Sequence, residues 1–130
     1  MLDRGRKTPP GRFSLRAFAL LVAVLLVCLP TTGHAVLVES VPAANSKVRG
    51  PELSVRLRFN SRIDAARSKL TLVKPDGAAE SLKIPEQTSP DTLTSTASGM
   101  KPGEYKLRWQ VLATDGHITR GEIPFTVAGS

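Results

Sequence analysis

An all-β fold, an antiparallel sandwich with Greek-key connections, is what residues 34–130 predict. Three observations carry that reading. The long apolar patterns repeat every two residues, turn-forming clusters separate them at short intervals, and no stretch of length shows a helical period.

The elements follow in chain order. Val36–Ser40 is a short strand candidate, closed by the turn signal Pro42-Ala43-Ala44-Asn45-Ser46. After Gly50-Pro51, Leu53, Val55, Leu57 and Phe59 alternate with Ser54, Arg56, Arg58 and Asn60, a half-buried strand. Asp64–Ser68 is expected to form one helical turn. Lys69–Lys74, Ser81–Ile84 and Leu93–Ala97 are further short strands, separated by Pro75-Asp76-Gly77 and Ser89-Pro90-Asp91. Beyond Lys101-Pro102-Gly103, Tyr105, Leu107, Trp109 and Val111 form the longest alternating run, and Trp109 is expected in the core. Ile123, Phe125 and Val127 complete the set of about seven strands. Pro124 lacks a backbone donor, so that last strand should lie at an edge or leave that side unpaired.

The segment before residue 34 reads differently. Residues 1–16 hold Arg4, Arg6, Lys7, Arg12 and Arg16 against the single acid Asp3, and the run Ala17–Leu29 carries no charge. A bilayer-spanning helix needs about 20 apolar residues, so this shorter run, followed by Pro30-Thr31-Thr32-Gly33, reads as a secretory signal peptide. The predicted organisation is residues 1–33 as signal peptide and residues 34–130 as one domain. Small residues allow cleavage before His34 or after Ala35. Cys28 belongs to the leader, which leaves the exported chain without cysteine. No twin-arginine pair precedes the apolar run.

Export changes what the charge means. The full chain carries +7, which invites a nucleic-acid reading, but without the leader 13 basic and 10 acidic residues leave +3. The four aromatics of the domain all sit at core-phase positions, so no stacking surface for single strands is expected. Nucleophilic catalysis has no cysteine and no Gly-x-Ser-x-Gly elbow, and no phosphate-cradling glycine loop is present.

What remains are two histidines. His34 would become the first residue, offering its α-amine and ring Nδ1 as a chelating pair. The amine has an ordinary pKa of about 7.7–8.0, low enough for a bound metal to displace its proton. His117 follows Asp115 by two positions, and Gly116 between them gives backbone freedom to aim both side chains. Two imidazoles, an amine and a carboxylate are nitrogen and oxygen donors that suit Cu(II). Read alone, Asp-Gly is a common turn and the neighbouring His a solvated side chain, and spacing does not bring residues 34 and 115–117 together.

His34-Ala35-Val36-Leu37-Val38-Glu39-Ser40-Val41-Pro42-Ala43 resembles the mature start of the CopC copper-binding family, of the form H-A-x-L-x-x-S-x-P-A. Val55–Asn60, the block Tyr105–His117 and Gly121–Val127 are similar to three further blocks of that family, in the same order. The resemblance implies a periplasmic, immunoglobulin-like sandwich that binds one Cu(II) per mature chain in copper resistance or delivery. It carries over His34 (amine and imidazole), Asp115 and His117 as metal ligands and favours the cut before His34. It further implies an inner-membrane CopD-like protein as copper-receiving partner. The mature chain is expected to be a monomer, without nucleic acid, membrane insertion or enzymatic activity. Some relatives bind Cu(I) through a methionine-rich loop. Here Met100 is the single methionine after the leader, so Cu(II) alone is expected. Two other readings compete: an immunoglobulin-like interaction module with a degenerate metal site, and a small copper-dependent oxidase.

Overall fold

A computed structural model describes residues 34–129, together with Gly5. The chain divides into two units, Met1–Thr32 and Gly33–Ser130, and the fold set out below is that of the second. Gly5 apart, the segment expected to be a signal peptide, with Cys28, lies outside the described residues. Among the described residues no helix is long and apolar enough to cross a membrane.

The chain runs through eight strands: β1 (Leu37–Val41), β2 (Ser46–Arg49), β3 (Leu53–Phe59), β4 (Ile63–Val73), β5 (Ala79–Leu82), β6 (Thr92–Ala97), β7 (Gly103–Ala113) and β8 (Ile118–Ala128). They form a three-stranded sheet in the order β1-β3-β6 and a five-stranded sheet in the order β2-β8-β7-β4-β5. The inward positions follow the period of two read from the sequence. Leu53, Val55, Leu57 and Phe59 on β3 meet Leu107, Trp109 and Val111 on β7 and Ile123, Phe125 and Val127 on β8 in one buried core. Phe59 and Trp109 bridge the two sheets edge to face, with ring centres 5.2 Å apart.

Two elements depart from expectation. β2 is an eighth strand, starting at Ser46 where only a turn was expected, and it pairs parallel to β8 rather than antiparallel. Asp64–Ser68 is not a helical turn: it lies within β4, where the register with β7 slips between Asp64 and Lys69. Within this bulge Asp64 Oδ1 accepts the Ala66 amide and the Ser68 hydroxyl donates to the Asp64 carbonyl. These local bonds replace the interrupted ladder, and pairing on both sides of the slip holds the segment extended.

Pro124 sits in an interior strand, yet the reason for expecting an edge holds locally. In a strand, a residue's nitrogen and carbonyl point to the same side. The Pro124 carbonyl accepts the Asn45 amide at 2.6 Å, so its nitrogen faces the side where β2 begins one register position later, at Phe125. No ladder donor is needed there.

Candidate metal centre

The site is built at one end of the sandwich from the segment before β1 and the hairpin joining β7 to β8. Ala35 is 1% exposed, and its methyl group anchors the start of the domain in the core. The next residue is gripped twice: the Val36 amide donates to Asn60 Oδ1 at 2.8 Å, and the Asn60 amide donates to the Val36 carbonyl at 2.9 Å. These contacts fix the backbone immediately after His34.

The hairpin is equally constrained. The Gly116 amide donates to the Ala113 carbonyl and the Ala113 amide to the His117 carbonyl, both at 2.9 Å. Gly116 has φ +90°, a left-handed conformation that glycine adopts without cost from a Cβ. A turn closed by a left-handed residue suits a three-residue hairpin loop, and it projects Asp115 and His117 from the tip. The Thr114 amide donates to the Arg62 carbonyl at 3.3 Å. Asn60-Ser61-Arg62, the connection between β3 and β4, therefore holds the segment of His34 with one end and the hairpin of His117 with the other.

Sequence reasoning did not single out Asn60 or Arg62. Asn60 stands in the sequence as the last polar position of the β3 alternation and of the Val55–Asn60 block, neither of which reports its bond to Val36, and Arg62 acts through its main chain, which no side-chain pattern reports.

The geometry places the His34 and His117 rings 4.9 Å apart between centres, nearly perpendicular at 85°. A metal–imidazole nitrogen bond of about 2 Å puts an ion roughly 3.2 Å from each ring centre. Two rings at right angles about one ion would then be about 4.5 Å apart, and opposite rings about 6.4 Å. The observed separation is short enough for both rings to reach one ion.

Asp115 Oδ1 accepts the His117 amide and Oδ2 meets His117 Nδ1, each at 3.0 Å. The His117 amide, followed by the hydrogen bond from its side chain, lowers the Asp115 pKa below its ordinary value. Partial burial opposes this, and the charges of His117 and His34 add to the lowering. The carboxylate stays ionised and holds the His117 ring through Nδ1. His34 and His117 thus come together, as do Asp115 and His117. Among the described residues, however, no three His, Cys, Asp or Glu side chains are gathered into one metal-binding group. In the uncut chain the His34 nitrogen is bonded to Gly33 as an amide and cannot bind as an amine.

The CopC domain matches residues 37–128, which span nearly the whole sandwich and include Asp115 and His117. The chain belongs to the CopC family. It is 30% identical over 119 residues to Protein YobA of Escherichia coli strain K12, covering 88% of this chain and 94% of that protein. It is 26% identical over 126 residues to Copper resistance protein C of Xanthomonas campestris pv. juglandis, covering 88% and 98% respectively. Among solved structures, it is similar to CopC from Methylosinus trichosporium OB3b, with 32% identity, a TM-score of 0.66, and coverage of 72% of this chain and 93% of that one. PcoC, a methionine-rich copper resistance protein from Escherichia coli, matches with 26% identity and a TM-score of 0.61, covering 74% and 100%. The names that mention a role speak of copper resistance, and as a member of this family the chain is not an enzyme. Unlike a methionine-rich relative, this CopC domain carries the lone Met100, which is buried in the core.

Proposed function

We propose that the mature chain is a periplasmic Cu(II) carrier or buffer in copper resistance, holding one ion at the hairpin end of the sandwich. The His34 amine and imidazole, the His117 imidazole and the Asp115 carboxylate supply the donors, and removal of the leader before His34 creates the amine. The observation that carries this reading is the 4.9 Å approach of two rings that lie more than eighty residues apart in sequence. The donor set is consistent with it: nitrogen and oxygen ligands favour Cu(II), while the one thioether is buried in the core. Membership of the CopC family and likeness to copper resistance proteins support the copper assignment over a degenerate interaction module. A CopD-like inner-membrane protein is the proposed recipient of the ion.

The test is Cu(II) titration of the chain beginning at His34 against variants of the hairpin. His117→Ala and Asp115→Ala are each expected to weaken binding by tenfold or more while the fold is kept. Undiminished binding in both variants would remove the hairpin from the site.

A further inference from the structure

The outer surface of the five-stranded sheet carries side chains in cross-strand rows that the metal site does not use. Register places Lys69 opposite Gln110 and Gln110 opposite Arg120, so one row runs Lys69–Gln110–Arg120 across β4, β7 and β8. The neighbouring row is Thr71–Arg108–Glu122. Together the two rows wall a shallow groove of about 410 Å³, floored by the Trp109 and Gly121 positions.

The charges in this groove are unequal. Glu122 is its one acid, and it is already engaged by Arg108 at 3.0 Å and Lys106 at 3.5 Å. Among the described residues neither Lys69 nor Arg120 has a carboxylate within ion-pair distance. Arg120 is nonetheless ordered, because its Nε donates to Gln110 Oε1 at 2.8 Å, which leaves the terminal nitrogens of the guanidinium free. Such a pre-positioned planar fork loses little freedom on meeting a carboxylate.

We infer that the Lys69–Gln110–Arg120 row docks an acidic segment of a protein partner beside the metal centre. Neighbouring strands are about 4.8 Å apart, so Lys69 and Arg120 rise from backbones about 10 Å apart. Two carboxylates at alternate positions of an extended segment are separated by about 7 Å, and the long Lys and Arg side chains close the difference. The row lies three residues along β7 from Ala113, about 10 Å from the foot of the His117 hairpin. A partner held there is within reach of the ion. An anionic membrane is the poorer fit. Membrane-docking faces gather four to eight cations, commonly with apolar anchors. This row has two unpaired cations, the aromatics Phe59, Tyr105, Trp109 and Phe125 are all buried, and Ile118 alone is a large apolar side chain exposed beside the row.

The identity of the partner as copper recipient rests on the proposed function; the acid-binding row does not, and the experiment separates them. Mature protein is titrated at low salt with a fluorescent extended peptide bearing two glutamates at alternate positions, and in parallel with phosphatidylglycerol vesicles. Copper loading is measured on the same samples. The expected result is salt-sensitive peptide binding, weakened about threefold by Lys69→Gln or Arg120→Gln and about tenfold by both, with copper loading unchanged. Lys47→Gln, on β2 and outside the row, should leave peptide binding intact. Equal peptide binding by wild type and double variant, or vesicle binding without peptide binding, overturns the inference. Peptide binding with no copper uptake by any variant would keep the docking row and overturn the function instead.

Discussion

Truncating Asn60 to Ala should weaken copper binding more than it weakens the fold. The side chain makes one hydrogen bond to the Val36 amide, while the Asn60 main chain makes the other contact to Val36 and survives the substitution. Val36 is exposed, so water can take over the lost bond, and the stability cost is that of one ordinary hydrogen bond, about 1 kcal/mol. The consequence for the metal is larger. With Asn60 truncated, the backbone that carries His34 is held by Ala35 burial and one main-chain bond. Copper must then re-impose order on about one residue, at a cost of roughly 1–2 kcal/mol. That corresponds to a Kd raised about 5- to 30-fold. A competition titration against a chelator of known affinity reads the Kd, and urea unfolding of the metal-free protein reads the stability. A variant that unfolds slightly earlier yet binds Cu(II) as tightly as wild type would refute the claim that Asn60 positions His34.

Other perturbations have distinct signatures. Gly116→Ala puts a Cβ on a residue at φ +90°, and although the space beside it is open, the left-handed backbone should cost about 1–2 kcal/mol in a thermal or urea melt and loosen copper binding by displacing His117. Gly121→Ala would drive a Cβ into the Trp109 ring. Trp109 is packed against Phe59, so a loss of about 1–3 kcal/mol is expected, with changed tryptophan fluorescence in the folded state. Asp91 accepts hydrogen bonds from Thr92 and Ser89, and the Thr92 bond leads in lowering its pKa below the ordinary value. A depressed folded pKa gives stability that is present above the unfolded pKa and lost as pH falls through the folded one. Asp91→Asn should therefore destabilise at pH 7, and its difference from wild type should shrink below the ordinary carboxylate value, as read by urea midpoints across pH.

Legibility in the sequence followed physical locality. β3 and β7 were plain because each faces the core on one side and water on the other, so alternation is written into consecutive residues. β2 was not, since four residues with Lys47 and Arg49 exposed become a strand only through parallel pairing with β8, nearly eighty positions later. β8 reaches back to Ile118, before the readable Ile123–Val127. Its inward residues there are Thr119 and Gly121, and Gly121 is small because Trp109 lies across it. Asp64–Ser68 looked helical on local composition, and β7 pairing on either side of a bulge overrode it.

The residues proposed as ligands are those that chemistry and family resemblance single out in the sequence. The Asn60–Arg62 connection that brings them together is not legible there, because it works through backbone groups and one amide oxygen. The amine of the proposed four-donor set is not a side chain at all, and it exists only after a peptide bond is cut.

That dependence makes the amine the most direct test. Cu(II) binding should be compared, by chelator competition and by the electron paramagnetic resonance spectrum, between protein beginning at His34 and protein retaining Gly33 before it. The account predicts one tightly held Cu(II) in the first. In the second it predicts binding weaker by tenfold or more, with a spectrum altered by loss of a nitrogen donor. Equal affinity and identical spectra in the two proteins would contradict it.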